Sequence, residues 1–358
     1  MLKQDGTVWA AGGNSFGQLG IDPASDITVL NFVEVVAGGA EAVATGSRHS
    51  MVLKKGLADG SVWCTGRNTN GQLGDGSNVD RHSFVQVILS YAKAIAAGTR
   101  HSLVMMRDGS VRATGYNLYG QLGDGSMNQK SRFIQVISRG AKAIAAGSDH
   151  SMVLKQDGSV WTAGLNWSGQ LGDGSSVLKT SFVEVIPSGS MAIAAGGCHS
   201  LVLKEDGSVW ATGENKYGQL GDATIVRYVM HPVTQGAKAI AAGQDHTMVI
   251  KQDSSLWATG RNNFGQLGDG STISKSMFVE VISSGVQAVA AGDWYSMALM
   301  LDGGLWATGA NDCGQIGDGS TISKDKFARV VSSRDGMYCT MPRCRVNLSH
   351  RLVISLRD

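Results

Sequence analysis

The chain has 358 residues, a formal net charge of +2, 17% charged residues and 49 glycines. So few charges and so many glycines exclude a helical bundle or a disordered chain, and they favour a β-protein with many short strands and tight turns. The charges are interspersed without a polybasic run, so direct contact with nucleic acid is not expected. No apolar stretch is long enough to span a membrane.

The cysteines and the N-terminus bear on metal binding and on compartment. Cys339 and Cys344 lie five residues apart, but a zinc site needs four ligands and shorter spacers, so we expect no metal and no cofactor. The segment Met1-Leu2-Lys3-Gln4-Asp5 contains no apolar signal region, which favours the cytoplasm or the nucleus. Because the chain begins inside a repeat, Met1 need not be the natural start.

Three short strings recur in a fixed order, at intervals of 47 to 54 residues. The string Asn-x-x-Gly-Gln-Leu-Gly, with Ile for Leu in the last copy, begins at Asn14, Asn68, Asn117, Asn166, Asn215, Asn262 and Asn311. The string Ala-Ala-Gly-x-x-His-Ser places its histidine at His49, His101, His150, His199 and His246, with Tyr295 in the sixth place. A third string, Asp-Gly-Ser-Val-Trp-Ala-x-Gly, precedes nearly every Asn anchor. This period is typical of a repeat architecture.

One repeat unit divides into four predicted strands. Residues 182–186 alternate apolar and polar side chains, and residues 191–195 are nearly all small, which suits a crowded inner strand. Residues 200–204 and 208–211 flank an Asp-Gly pair, the sequence most typical of a tight hairpin. Four antiparallel strands in about 50 residues predict a propeller blade.

The seven anchors predict one domain, residues 1–358, folded as an all-β, seven-bladed propeller of four-stranded antiparallel blades. Residues 7–10 supply the last strand of the first blade, whose earlier strands are missing at this end. Residues 327–331 resemble a first strand, and residues 350–356 resemble the strand that begins with the repeat histidine. Strands from both termini are therefore expected to close the ring and leave no open sheet edge. Residues 336–347 between them are irregular.

Several repeated residue types could suggest a site but are better explained as scaffold. The repeat histidines would stand one blade apart, too far to share a metal ion, so we expect each to bond backbone locally. The Asp-Gly-Ser strings lack the ligand set of a calcium loop. Tryptophans at one strand position indicate core packing, and they are Trp9, Trp63, Trp161, Trp210, Trp257 and Trp306, with Arg112 in the remaining copy.

Residues 145–151 (Ala-Ala-Gly-Ser-Asp-His-Ser) and 210–221 (Trp-Ala-Thr-Gly-Glu-Asn-Lys-Tyr-Gly-Gln-Leu-Gly) resemble the regulator-of-chromosome-condensation repeat. The resemblance covers residues 1–335 and implies a seven-bladed propeller. Members of that family include a nuclear exchange factor for a small GTPase, a plant ultraviolet-B photoreceptor, ubiquitin-ligase accessory domains and a secreted β-lactamase inhibitor. They share the use of a propeller face to grip another macromolecule.

The resemblance to two of these members breaks down at particular residues. The chain lacks the basic tail with which the exchange factor helps to hold chromatin, which disfavours chromatin binding. The photoreceptor clusters tryptophans in the loops before the repeat histidine, whereas this chain has Trp294 alone in those loops. Light sensing is therefore not expected.

Function is expected where the copies differ inside a constant frame. The two residues before the repeat histidine vary, and these positions give the partner-binding candidates Arg48, Arg100, Asp149, Cys198, Asp245, Asp293 and Trp294. A second variable set follows the tryptophan strand and comprises Arg67, Tyr116, Leu165, Glu214 and Arg261, joined by Trp167, Tyr119 and Tyr217. From this set, Tyr116, Trp167, Tyr217 and Arg261 are taken as partner-binding candidates. Arginine, tryptophan and tyrosine are the types enriched at binding hot spots.

The leading hypothesis is a non-catalytic scaffold that binds a protein partner on one face of the propeller. Regulation of a small GTPase, as an exchange factor, is one version of it that the resemblance implies. No catalytic residue is assigned, because the sequence contains neither a nucleophile elbow nor a phosphate-binding glycine loop. The alternative is an enzyme or a small-molecule binder that uses the mouth of the central channel, and a purely structural role is the third hypothesis.

The predicted closure can be tested by truncation. Deleting residues 347–358 should lower the melting temperature by more than about 5 °C, because the first blade would lose an inner strand and expose an unpaired edge. Differential scanning calorimetry of the full and shortened chains measures the change. Identical melting curves would show that the ring does not need these residues.

Overall fold

The computed structural model describes residues 1–22, 28–55 and 60–331, which form 26 β-strands. Two strands, β1 (Val8–Gly13) and β2 (Thr28–Val36), form a small sheet of their own. The others form six four-stranded antiparallel sheets, in which each strand pairs with the next along the chain. No described residue belongs to a helix that could cross a membrane.

The six sheets are numbered here as blades 1 to 6 in chain order. Blade 1 contains β3 (Ala40–Thr45), β4 (His49–Lys54), β5 (Ser61–Gly66) and β6 (Arg81–Ile88), and blade 2 contains β7 (Ala92–Ala97), β8 (His101–Met106), β9 (Val111–Gly115) and β10 (Lys130–Ile137). Blade 3 contains β11 (Ala141–Ala146), β12 (His150–Lys155), β13 (Val160–Gly164) and β14 (Lys179–Ile186), and blade 4 contains β15 (Ser190–Ala195), β16 (His199–Lys204), β17 (Val209–Glu214) and β18 (Val226–Thr234). Blade 5 contains β19 (Ala237–Ala242), β20 (His246–Lys251), β21 (Leu256–Gly260) and β22 (Lys275–Ile282), and blade 6 contains β23 (Val286–Ala291), β24 (Tyr295–Met300), β25 (Leu305–Gly309) and β26 (Lys324–Val331).

The predicted strands are present, but the predicted boundary between units is wrong. Residues 182–186 belong to β14, which is the fourth strand of blade 3 and pairs with β13, rather than the first strand of the next blade. Residues 327–331 likewise lie in β26 and complete blade 6. Apolar-polar alternation shows that a segment is a half-buried strand, but it does not show which neighbour supplies the hydrogen bonds.

The described residues contain six complete blades rather than the predicted seven. The two-stranded sheet lies between blade 6 and blade 1, because Trp9 and Phe32 pack against the core of blade 6 while Val8 and Val36 pack against that of blade 1. Asn31 of β2 also forms a β-bridge with Asp318 beyond β25, the same bridge that joins successive blades elsewhere. The strand predicted at residues 350–356 and the irregular segment 336–347 lie outside the described residues, so closure by strands from both termini stays a prediction.

The Asp-Gly hairpins form as the sequence predicts. In blade 3, Gly158 has a φ of 79°, a left-handed conformation that glycine adopts without strain. The Asp157 carboxylate accepts hydrogen bonds of 2.9 Å from the Ser159 amide and 2.6 Å from its hydroxyl. The turn therefore fixes both backbone reversal and the start of the tryptophan strand.

The repeat histidines join neighbouring blades. The Nε2 atom of His49 in blade 1 is 2.8 Å from the hydroxyl oxygen of Ser102 in blade 2. The Ser102 hydroxyl in turn donates a hydrogen bond to the carbonyl of Gln72 in blade 1. Because the serine proton goes to Gln72, the histidine must donate from Nε2. The other four links are His101–Ser151, His150–Ser200, His199–Thr247 and His246–Ser296. The expected scaffold role fits this geometry, but the bonding partner is a side chain of the next blade rather than local backbone.

These buried histidines predict that stability falls in mild acid. Burial lowers the pKa of His49 and of His246 from 6.5 to about 4. Between pH 6.5 and pH 4 the unfolded chain therefore binds more protons than the folded chain, and the free energy of unfolding should fall by about 1.4 kcal/mol per pH unit for each histidine. Urea unfolding at pH 7.5, 6 and 5 measures this slope.

A matched pair of variants assigns the effect. His246→Gln should reduce the slope by about 1.4 kcal/mol per pH unit and leave the contribution of His49, whereas His231→Gln, which changes an exposed histidine in β18, should leave the slope as it is. A stability that is constant from pH 7.5 to pH 5 would contradict the assignment.

Candidate functional site

Both variable sets lie at one end of the blades and form a single surface, here called the loop face. Each second strand begins at the repeat histidine and each third strand ends opposite it, as His150 pairs with Gly164. A backbone hydrogen bond of 2.7–2.9 Å then joins a residue of the second set to one of the first in every complete blade. These bonds run from Arg67 to Arg48, Tyr116 to Arg100, Leu165 to Asp149, Glu214 to Cys198, Arg261 to Asp245 and Ala310 to Trp294.

The repeat asparagine holds each loop of the second set in place. In blade 2 the buried Asn117 side chain donates from Nδ2 to the Asp124 carboxylate and to the carbonyls of Ser126 and Asn128. Its Oδ1 accepts the Leu122 amide at 2.9 Å. Because one buried amide satisfies four groups of the loop, the variable side chains beside it are presented from a fixed backbone.

The largest aromatic group of the loop face spans blades 2 and 3. Tyr116 and Tyr119 meet edge to face with centroids 5.9 Å apart, and Tyr119 meets Trp167 in the same manner at 5.3 Å. The Arg100 guanidinium stacks on Tyr116, 4.0 Å from its centroid. Trp167 is 61% exposed, unusually high for so large an apolar side chain. We call these four residues the aromatic ridge.

The charges of the loop face are largely paired within the chain. Arg100 forms an ion pair of 3.4 Å with Asp149, which also accepts a hydrogen bond from Gln121. On the far side of the face, Arg261 forms an ion pair of 3.3 Å with Asp245. The sequence analysis named all four residues as contacts for a partner, and the structure pairs each with a neighbour of opposite sign.

The second group centres on blades 4 and 5. The Arg261 guanidinium lies 4.9 Å from the centroid of Tyr217, and the Lys216 ammonium lies 5.4 Å from it. Burial raises the pKa of Asp245, although its bond to Arg261 opposes the rise. Burial also raises the pKa of Glu214, and the charge of Asp245 adds to that shift. This group is therefore a compact, partly desolvated set of charges around one tyrosine.

The remaining candidates lie apart from these two groups. Trp294 packs against Phe264 with centroids 5.5 Å apart, and the exposed Arg48 lies over Phe16 at 4.9 Å. Cys198 and Asp293 are half-buried and do not extend either aromatic group. Of the aromatic partners, Tyr119 belonged to the second variable set, whereas Phe16 and Phe264 were in neither set. Both occupy the position before the glycine of the Asn-x-x-Gly string, the position that supplied Tyr119 and Tyr217, and applying it to every copy would have revealed them.

The mouth of the central channel is bridged by a side chain. The Gln244 side chain accepts a hydrogen bond of 3.1 Å from the Ser148 hydroxyl, which joins blade 5 to blade 3. It also lies over Gly197 of blade 4, where an added Cβ would be 2.6 Å from its Nε2. Among residues 1–22, 28–55 and 60–331, no three His, Cys, Asp or Glu side chains are grouped to hold a metal ion. One polar side chain therefore connects blades 3 and 5 and covers Gly197 of blade 4.

Comparison with known structures shows the fold. The human WBSCR16 structure superposes with a TM-score of 0.81 at 21% sequence identity, covering 91% of this chain and 94% of that one. Yeast RCC1 (Prp20) bound to Kap60 gives a TM-score of 0.82 at 20% identity, covering 93% of this chain and 85% of that one. A separate structure of Prp20p from Saccharomyces cerevisiae, described with its binding to Gsp1p and histones, gives 0.81 at 20% identity, covering 93% and 88%.

Sequence comparison adds the family. A Caenorhabditis elegans X-linked retinitis pigmentosa GTPase regulator homolog is 31% identical over 109 residues, which are 29% of this chain and 8% of that protein. A model of the regulator of chromosome condensation (RCC1) repeat matches residues 41–72, 92–121, 141–170, 192–219, 237–266 and 286–315. A second model of the same repeat matches residues 59–105, 206–250 and 253–299. More than half of the chain is matched, so this protein belongs to the RCC1 repeat family.

Proposed function

We propose that the loop face binds a protein partner and that the aromatic ridge is its main anchor. The observation that carries the proposal is the 61% exposure of Trp167 in direct contact with Tyr119, on loops held by buried asparagines. Rigid aromatic side chains lose little conformational entropy on binding, so their burial contributes strongly to affinity. Protein binding by a family member is consistent with this role, since yeast Prp20 is described as bound to Kap60 and as binding Gsp1p and histones.

The charge pattern favours a protein over nucleic acid. The net charge is +2, and the cations at the ridge and in blade 5, Arg100 and Arg261, are each paired with an aspartate. Nucleic-acid binding needs several cations free to neutralise phosphates. A small GTPase, as the target of a regulator, is the specific version of the proposal, supported by the GTPase regulator homolog among the relatives.

Capture experiments with paired variants test the anchor. Trp167→Ala with Tyr119→Ala should reduce partner capture roughly thirtyfold or more, because hot-spot aromatics contribute about 2 kcal/mol or more. The melting temperature should change little, since Trp167 is mostly exposed. The measurement is affinity capture from native extract with quantitative mass spectrometry, and the true partner is the protein lost with this variant.

The control must change an exposed apolar residue away from the loop face. The exposed aromatic residue Tyr228 is unsuitable as this control, because it lies in β18 and its ring contacts the turn at Gly169. Leu89 is 77% exposed between β6 and β7, at the opposite end of the blades, so Leu89→Ala should retain full capture. If the ridge variant captures the same proteins at wild-type strength, the anchor lies elsewhere, and Trp294→Ala, at a residue that packs against Phe264 outside the ridge, tests the next region.

A further inference from the structure

The repeat tryptophans share a local environment in five sheets. In each, a lysine ammonium lies over the indole ring, 3.6–5.8 Å from a ring centroid. The indole N–H donates to a serine or threonine two residues earlier, at 3.0–3.2 Å. The lysine–tryptophan pairs are Lys3–Trp9, Lys54–Trp63, Lys155–Trp161, Lys204–Trp210 and Lys251–Trp257. Both the ring face and the ring N–H are thus satisfied from within the blade.

Blade 6 keeps the tryptophan and loses both partners. Met300 of blade 6 pairs with Val286, and at the equivalent position of blade 3 Lys155 pairs with Ala141. A methionine therefore occupies the lysine position in blade 6. Gly304 stands where the serine stands elsewhere, and the Arg329 guanidinium lies close to the place of its missing side chain. Guanidinium groups only donate hydrogen bonds. The indole nitrogen of Trp306 is accordingly buried without a hydrogen-bond partner among the described residues.

A cleft lies beside this tryptophan, between blades 5 and 6. Its volume is about 410 Å³, and its lining includes Met300, Trp306, Phe327 and Val281, together with Glu280. Asp269 and Lys326 also line it, and Asp269 is paired with Lys275 at 3.1 Å. Glu280 forms no ion pair with any residue in the described part of the chain. The lining of the cleft therefore combines an aromatic residue, apolar side chains and a carboxylate without an ion pair among the described residues, with Lys326 as a further charged group.

The sister blades show which chemical group belongs over the ring. Their occupant is a primary ammonium, and in blade 4 the Lys204 ammonium also donates to the Ser188 carbonyl at 2.6 Å. In blade 5 the Lys251 ammonium donates to the equivalent carbonyl of Gln235. Met300 has no donor, so blade 6 supplies no ammonium to its ring or to the corresponding turn at Ser284.

We propose that the cleft binds a primary alkylammonium group over the Trp306 ring, supplied by a free amine or by a lysine side chain of another protein. The ring attracts the cation, Glu280 adds a carboxylate, and Met300 with Phe327 covers the alkyl chain. This site is separate from the loop face, since it lies between two blades rather than at their loop ends.

Binding is measured on the indole N–H signal of Trp306 in ¹H–¹⁵N spectra, assigned with Trp306→Phe. Titration with n-butylammonium should give a saturable shift with a Kd on the order of millimolar, as expected for one cation–aromatic contact. The neutral 1-butanol should bind at least tenfold more weakly. If Nα-acetyl-lysine methylamide binds more tightly than n-butylammonium, the natural source of the ammonium group is a lysine of another protein. If n-butylammonium binds more tightly, the natural source is a free amine.

The repeat itself provides the blocking variant. Met300→Lys restores the residue of the sister blades, so it should fill the site from within and weaken n-butylammonium binding at least tenfold without lowering the melting temperature. Leu301→Lys adds the same charge at a neighbouring residue that is 67% exposed, and it should bind as the wild type does. Glu280→Gln, at an exposed position, should weaken binding severalfold.

Three results would overturn the proposal. One is the absence of a saturable shift in the wild-type protein. The second is equal binding of 1-butanol, which would reduce the cleft to a general apolar site. The third is wild-type affinity in Met300→Lys while Glu280→Gln also has no effect.

Discussion

The structure depends on one hydrogen-bond chain between blades, in which a buried histidine donates to a serine or threonine that donates to a glutamine carbonyl. His150 of blade 3, Ser200 of blade 4 and the Gln170 carbonyl of blade 3 form one such chain. All of these groups are buried, so each would cost free energy if left unpaired. The chain therefore fixes the position of one blade on the next. In blade 6, whose neighbour is the two-stranded sheet, Tyr295 replaces the histidine and packs in an apolar cluster with Met1.

This constant frame explains why the variable residues can carry function. The histidine chain fixes the start of each second strand, and the repeat asparagine fixes the loop after the third strand. The residues between these two anchors are free to change without disturbing either. A fixed backbone also lowers the entropy lost when a partner binds, so the loop face needs fewer strong contacts to reach a given affinity.

The sequence was sufficient for the strands and the turns, because these follow from local patterns. It was not sufficient for contacts between blades. The Asp-Gly turn at Gly158 depends on one residue's φ, whereas the pairing of Arg100 with Asp149 depends on the distance between two blades. The boundary between repeat units was predicted wrongly for the same reason. An alternating strand such as β14 can pair with either neighbour, and the choice is made by the path of the loop that Asn166 holds.

The repeat also provides an internal reference for judging single residues. Trp306 appears ordinary in the sequence, since it matches its sister tryptophans, and its difference lies in what surrounds it. A buried indole N–H without an acceptor costs about 1–3 kcal/mol, and the other five sheets that carry the tryptophan avoid that cost with a serine or threonine. Gly304 also leaves room for Arg329, since a Cβ at residue 304 would be 3.0 Å from the guanidinium nitrogens. Blade 6 thus departs from the frame at three positions around Trp306, namely Met300, Gly304 and Arg329, and Met300 lines the cleft together with the tryptophan itself.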